Sequence, residues 1–514
     1  MTNSDLSKHV FDFLRQVGVQ NVVVCAGARN APLVLSLKNE KFKDYRFFEE
    51  RSAAFFALGL IKSEQKPVAI LTTSGTAAAE LLPAAIEATY QGLPLILITA
   101  DRPHHYRGSA SPQTIDQVGL FKNYVEVEYD LDVNTTKFEF QWGAKKPIHL
   151  NVCFDEPLID QPTMKETPVK FTKLHEKRET PVSSSNGQKP LIILGEIDPV
   201  HQARVIEFIL HTRAPVFAES LSHLQNKSEI QPYLLRSTEH IIKSLFQNQL
   251  CDSVIRIGGV PTLRFWRDLE QTFQLVPVMN YSDIPYSGLA RSGHVLEMNQ
   301  LRSLVQFPVE TLSYIKKIDT RLQAEKERLL MQYPMSEPHL TLRLSERVGE
   351  APVYIGNSLP IRLWDQFAVH NSKSIAANRG ANGIDGQIST YLGWSENKTL
   401  SYAFIGDLTA MYDLAALGLT EQLNTHRRNI VIMNNFGGQI FKRVFKNDDF
   451  VNPHKTQFYH WAKMWNWSYL LVSSVDQLAM MKSFNTSNLI IELVPDATET
   501  ENFWNDWDRA CQKF

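Results

Sequence analysis

Two oxygen-bearing side chains, Asp407 and Asn435, stand 28 residues apart, each just after a short apolar run and each close to glycine. If the runs 401–405 and 430–433 are parallel strands, both residues lie at the carboxyl edge of one sheet, where ligands of open α/β sheets bind. Asp407 offers a carboxylate oxygen, Asn435 an amide oxygen, and the turn at Gly437-Gly438 a backbone carbonyl. Hard oxygen ligands suit Mg²⁺, which leaves its other positions to phosphates and water. Gly406-Asp407-Leu408 opens a helical stretch whose free N–H groups and positive dipole end suit a diphosphate. The same pattern also fits two strand-to-helix turns in which Asp and Asn only cap helices.

An acidic pair, Glu49-Glu50, precedes the apolar helical stretch 55–60. Acidic residues at a helix start cap it and complement its dipole. A carboxyl buried in a pocket there would instead have a pKa raised toward neutrality, as proton transfer to a heterocycle requires. Between the strand-like run 68–72 and the next helix lies Thr73-Ser74-Gly75-Thr76. Gly75 permits a tight turn, and Ser74 can cap a helix or touch a ligand.

Positioning these groups needs buried strands and intervening helices. Runs rich in Val, Ile and Leu recur at 22–25, 68–72, 95–99, 148–152, 191–194, 253–257, 353–355, 401–405, 430–433 and 489–493. Helical stretches such as 77–90 and 413–423 separate them, which reads as α/β with parallel sheets. Two stretches divide the chain: 165–189 is polar, and 314–338 is charged and helical in pattern, then breaks at Tyr333-Pro334 and Glu337-Pro338. The expected domains are therefore 1–180, 185–335 and 340–514, in keeping with 514 residues.

Composition narrows the function classes. Lys+Arg is 53 against 55 Asp+Glu, a net charge of −2, which argues against a general nucleic-acid binder. The four cysteines (Cys25, Cys153, Cys251, Cys511) are far apart, so neither a disulfide framework nor a common zinc spacing is expected. They fit a reducing, cytoplasmic setting. The apolar runs are too short to span a bilayer, and the first 16 residues read as an amphipathic helix rather than a signal peptide. His104-His105, with Arg102 and Arg107 nearby, reads as a polar loop rather than a metal site. The aromatic group Phe458, Tyr459, Trp461, Trp465 and Trp467 reads as packing rather than base stacking.

With these residues in view, the chain resembles the thiamine-diphosphate-dependent enzymes, and among them the synthases of menaquinone biosynthesis. The matching stretches are GARNAPL (27–33), EERSAAFFALGL (49–60), TSGTAAAELLPAAIEA (73–88), LITADRP (97–103) and QTIDQ (113–117). They continue with GNSLPIR (356–362), NRGANGIDGQISTYLG (378–393), GDLTAMYDL (406–414) and NNFGGQIF (434–441). The resemblance implies an α/β fold of three parallel-sheet domains: a pyrimidine-binding domain, a central domain and a diphosphate-binding domain. It implies thiamine diphosphate with Mg²⁺, Mn²⁺ as substitute, held between two subunits of a homodimer or homotetramer. The implied reaction is decarboxylation of 2-oxoglutarate and 1,4-addition of the remaining unit to isochorismate.

Roles follow from the same resemblance. Asp407 and Asn435 match the side-chain metal ligands, and Gly437 the carbonyl ligand. Glu50 matches the residue that shares a proton with the aminopyrimidine ring, and Ile384 the apolar prop under the cofactor. Ser74, Gly75, Gly406 and Leu408 fall in the cofactor-binding turns. Arg29, Arg362 and Arg379 match substrate arginines, suited to dianionic substrates; Arg264 falls near a basic family position. Ser358 and Gln113 match polar substrate contacts, and Ile440 and Phe441 an apolar wall. The chain departs from the family at Ala28, usually Ser, and at Pro112, usually Asn, which alters the acceptor pocket. The alternatives are a related 2-oxoacid decarboxylase or carboligase with another acceptor, and a non-catalytic relative that serves as a binding module.

Overall fold

The computed structural model describes residues 1–163, 168–174, 187–237, 239–291, 293–302, 305–424, 426–445, 447–481 and 486–512. The stretch 165–189, expected as a linker, lies largely outside the described residues. Its described part is not all connection: Val169–Lys173 is a strand, paired in parallel with Phe138–Trp142. The alternation of that partner, FEFQW, with its aromatic residues buried, gives the pairing a packed face.

Three larger sheets follow one another along the chain, and every strand pair in them is parallel. The first runs in the order Lys43–Phe47, Asn21–Cys25, Val68–Thr72, Leu95–Asp101, Ile148–Cys153, Val127–Leu131. The second has five strands, in the order Val216–Ala218, Pro190–Leu194, Ser253–Ile257, Val278–Tyr281, Val295–Leu296. The third runs Ile375–Ala376, Val353–Ile355, Leu400–Gly406, Arg427–Met433, Asn488–Leu493, Ser468–Val472. The α/β fold with parallel sheets expected from the apolar runs is thus observed. The central strands are buried on both faces, which is why they read as continuous Val, Ile and Leu.

Strand alternation sorts these side chains into layers. Val22 and Val24 face the helix Asn3–Gln16, whereas Val23 faces inward with Ile70 and Leu97. That inward layer continues through the helices Glu50–Glu64 and Gln387–Trp394 to Ile405, Ile430 and Ile432 of the third sheet. The two helices touch backbone to backbone. A Cβ on Gly59 would lie 2.0 Å from the Thr390 carbonyl oxygen, and one on Gly393 would lie 2.2 Å from that of Phe56. Glycine at both crossing points is what allows the approach.

Three element expectations need correction. The stretch 77–90 is two helices, Thr76–Ala79 and Leu82–Gln91, with Pro83 within the first turn of the second. The stretch 413–423 is 3₁₀, Leu414–Gln422, not α. The connection 314–338 is helical, as its pattern indicates, over Val309–Gln332, but Pro338 does not break a helix; it opens one, Glu337–Val348. In the first and third sheets the strand order reverses beside Asn21–Cys25 and Val353–Ile355. The crevices at their carboxyl ends are the natural binding places of such sheets.

Candidate active site

Next to the reversal in the third sheet, Gly406 and Met433 are register partners, so the turns after them lie side by side. Asp407 opens the helix Asp407–Tyr412 and is 3% exposed. Its Oδ1 accepts the Leu408 N–H at 2.7 Å, and its Oδ2 accepts the Gly437 N–H at 2.9 Å. His454 Nε2 lies 3.1 Å from the same Oδ2. Burial pushes the Asp407 pKa up, against the pull of those N–H groups and the imidazole. Gly437, at φ +143°, brings its backbone under Val451, whose carbonyl oxygen would sit 2.6 Å from a Cβ there.

The two asparagines of this turn divide sharply. Asn434 is wholly absorbed: its Nδ2 donates to Glu492 Oε1 at 2.7 Å and to the Thr456 carbonyl at 2.9 Å, and its Oδ1 accepts the Phe436 N–H. Asn435 donates its Nδ2 to Glu337 Oε1 at 2.6 Å, while its Oδ1 is buried without a partner. A buried acceptor left open in a turn that also binds a buried carboxylate, through the Gly437 N–H, suits a cation. The residues present therefore fit a divalent metal carrying a diphosphate.

The acidic pair divides in the same way. Glu49 is the N-cap of Glu50–Glu64, accepting the N–H groups of Arg51 at 3.1 Å and Ser52 at 3.0 Å. Glu50 is spared that duty. Its carboxyl is half-buried and its pKa raised, first by burial and then by the charges of Glu49 and Glu80, against its own backbone N–H. In the next two residues, Arg51 donates to the Tyr412 carbonyl at 3.0 Å and Ser52 to Asp413 Oδ1 at 3.1 Å. The helix bearing Glu50 is thereby tied to the far end of the helix that starts at Asp407. Ile384, half-buried, lies in the turn before Gly386, where a Cβ would strike the Phe55 ring.

At the reversal in the first sheet, Ser74 is buried and Thr73 Oγ1 is buried without a partner. The Gly75 N–H is held by Gln117 Oε1 at 2.9 Å, and Gln113, at φ +54°, lies over Gly75. Arg29 is 9% exposed and donates to the Phe154 carbonyl at 3.1 Å. Its pKa is lowered, first by burial and then by the like charge of Arg102. Arg102 in turn donates to the Pro112 carbonyl at 3.2 Å. In the third sheet, Ser358 takes a left-handed φ of +69° and its carbonyl accepts Arg362 Nη1 at 2.5 Å. Arg379 Nη1 reaches Asn357 Oδ1 at 2.7 Å, and its Nε is buried without a partner. Glu87 holds the loop of Arg379 from the other side, accepting the Gly380 and Ala381 N–H groups at 2.7 Å each. Arg379 also lines a cavity of about 910 Å³ where parts of all three sheet regions meet.

The structure thus groups Asp407, Asn435 and Gly437; Ser358, Arg362 and Arg379; and Arg29, Gln113, Ser74 and Gly75. Arg264 stands apart, exposed at the start of Arg264–Asp268. Phe441 is 43% exposed and stacks on Phe445 at 6.1 Å; Ile440 is half-buried on the same helix, Gln439–Phe445. Reading the sequence did not single out Arg102, Gln117, Asn357, Glu337 or His454 for a role. Three of them lie inside quoted motifs, so the signal was there for those. His104, Asp130 and Cys153 do approach one another within 4.8 Å. Arg107 grips Asp130 with two bonds of 2.9 and 2.8 Å, and burial pushes the Cys153 thiol up, which disfavours a metal there. Phe458, Trp461 and Trp467 are buried, as packing residues should be.

Residues 4–120 match the family described as thiamine pyrophosphate enzyme, N-terminal TPP binding domain. A 2-succinyl-5-enolpyruvyl-6-hydroxy-3-cyclohexene-1-carboxylate synthase of Bdellovibrio bacteriovorus is 44% identical, over 99% of each chain. Enzymes of the same name from Akkermansia muciniphila and Staphylococcus saprophyticus are 36% and 30% identical. They cover 94% and 90% of this chain, and 95% and 90% of their own. With that identity along nearly its whole length, the chain belongs to the 2-succinyl-5-enolpyruvyl-6-hydroxy-3-cyclohexene-1-carboxylate synthase family of thiamine-diphosphate enzymes.

Proposed function

We propose that the protein decarboxylates 2-oxoglutarate and adds the remaining unit 1,4 to isochorismate, giving 2-succinyl-5-enolpyruvyl-6-hydroxy-3-cyclohexene-1-carboxylate in menaquinone biosynthesis. When bound, thiamine diphosphate supplies the electron sink for the decarboxylation. Asp407, Asn435 and the Gly437 carbonyl would hold Mg²⁺ or Mn²⁺, and the start of the helix Asp407–Tyr412 would receive the diphosphate. Glu50 holds a proton for the aminopyrimidine; burial, with the charges of Glu49 and Glu80, raises its pKa and so favours the protonated carboxyl. Ile384 supports the cofactor from below. Arg29, Arg362 and Arg379, with Ser358 and Gln113, bind the substrate carboxylates and hydroxyl groups; Arg102 joins them through its place beside Arg29. Ile440 and Phe441 shield the reacting carbons from water. The observation that carries this reading is the Asn435 Oδ1, buried without a protein partner in the turn whose Gly437 N–H binds Asp407.

Two chains complete the site, one supplying the region of Glu50 and the other that of Asp407. The ring cluster of Phe441, Phe445 and Phe450, each more than 40% exposed, supports an apolar contact there. No helix among the described residues is long and apolar enough to cross a membrane. The test is a two-substrate assay. The protein loaded with thiamine diphosphate and Mg²⁺ should release CO₂ slowly from 2-oxoglutarate alone and faster with isochorismate. Release without any gain from isochorismate favours a different acceptor, a reading supported by Pro112, whose carbonyl is turned to Arg102. No release at all overturns the catalytic reading.

A further inference from the structure

The charged connection between the second and third sheets ends at the candidate metal centre, and that contact has a chemical consequence. Glu337 is the first residue of the helix Glu337–Val348, is 3% exposed, and accepts Asn435 Nδ2 at 2.6 Å. Its own backbone is clamped: the Glu337 N–H donates to Thr500 Oγ1 at 3.2 Å, and the Met335 N–H to Glu499 Oε2 at 2.7 Å. Ser336 caps the helix by accepting the His339 N–H. A side-chain amide has an oxygen end and a nitrogen end of nearly the same shape, so packing alone does not decide which way it points. An ionised carboxylate accepts and does not donate, so it admits only the nitrogen end.

We infer that Glu337 is a positioning residue that holds the Asn435 amide with its oxygen turned to the metal. This rests on the reading of Asp407, Asn435 and Gly437 as the cation site. Neighbouring Asn434 shows the contrast, because both ends of its amide are used within the protein and neither is offered outward. Glutamine at 337 would accept either end of the amide and release the choice. Partners of this kind, which orient a ligand without touching the metal, change affinity by about 10–100-fold when lost.

The test titrates Mn²⁺ into the full-length protein with saturating thiamine diphosphate, reading free Mn²⁺ by electron paramagnetic resonance. Glu337→Gln should weaken Mn²⁺ binding by about 10–100-fold, while its melting temperature without metal or cofactor stays within a few degrees of the parent's. Asn435→Asp alone sets two carboxylates against each other and should bind Mn²⁺ poorly. Adding Glu337→Gln to it should recover binding, since the glutamine amide can donate to the new carboxylate. That recovery separates orientation from general damage to the fold. A parent protein with a stoichiometric Mn²⁺ site, but unchanged affinity in Glu337→Gln and no recovery in the double variant, overturns the role of Glu337. A parent protein with no such site overturns the metal-centre reading itself.

Discussion

Two pairs of identical neighbours, Glu49-Glu50 and Asn434-Asn435, show how chemistry is assigned one residue at a time. In each pair the first member satisfies groups of the fold; of the second members, Asn435 keeps a buried oxygen without a partner, and Glu50 accepts its own backbone N–H rather than capping the helix. The consequence is a pair of opposite expectations. Glu50→Gln should cut turnover by about a hundred- to ten-thousand-fold, with circular dichroism and melting temperature close to the parent's. Glu49→Ala removes a cap and should cost about 1 kcal/mol of stability, seen in urea unfolding, with a much smaller effect on turnover. Comparable loss of turnover in both would show that Glu50 acts only through the helix start. Both acidic residues were visible as candidates in the sequence, but their division of labour was not, because it depends on which carboxylate reaches back over the first turn.

At the level of elements, the helices Glu50–Glu64 and Gln387–Trp394 carry the joint between the first and third sheets. Gly59 and Gly393 have ordinary helical surroundings in the sequence, and nothing in their neighbours announces a crossing. In space each is filled by the other helix's backbone. Gly59→Ala has nowhere to put its methyl group except into the Thr390 carbonyl, so the helices must part. The expected cost is about 1–3 kcal/mol or more, read as a lower melting temperature. A fall in turnover should accompany it, because Glu50 begins the displaced helix. The buried strands were legible from their Val, Ile and Leu runs. The half-exposed ones, such as Lys43–Phe47 and Val127–Leu131, were not, since their apolar residues are fewer and their burial is partial. Pro338 was misread because proline both ends helices and begins them, and only the cap at Ser336 decides which.

Across the whole molecule, the three sheet regions meet around a group of buried charges. Glu219, from the second region, accepts from Thr262 Oγ1 at 2.5 Å; Asp365, from the third, accepts from Ser220 Oγ at 2.5 Å. Thr262 Oγ1 also lies 3.4 Å from Asp365. Burial pushes both carboxyl pKa values up; the charge of Asp365 adds to the rise at Glu219, and Arg379 opposes it at both. The folded protein therefore keeps protons that the unfolded chain releases in the ordinary carboxylate range. Stability from this source is full at pH below that range and falls as pH rises through it toward the raised values. The slope is at most about 1.4 kcal/mol per pH unit for each such proton. Melting temperature should decline over that window, and Glu219→Gln, which cannot ionise, should flatten the decline. An unchanged slope in Glu219→Gln would remove that carboxyl as its source.

The same scale changes the meaning of the net charge of −2. The positive charge expected for dianionic substrates is concentrated in a few arginines at strand ends, and whole-chain arithmetic cannot register it. Local pattern was enough for the parallel α/β architecture, the strand-end positions of Asp407 and Asn435, and the glycine turns beside them, because buried strands and tight turns constrain residue type within a few neighbours. Other facts came only with the tertiary structure: which glutamate and which asparagine stay open, that Arg379 sits among buried carboxylates, and that Glu337 reaches Asn435 across 98 residues. A hydrogen bond is made in space, and its two ends leave no shared mark on the segments that carry them.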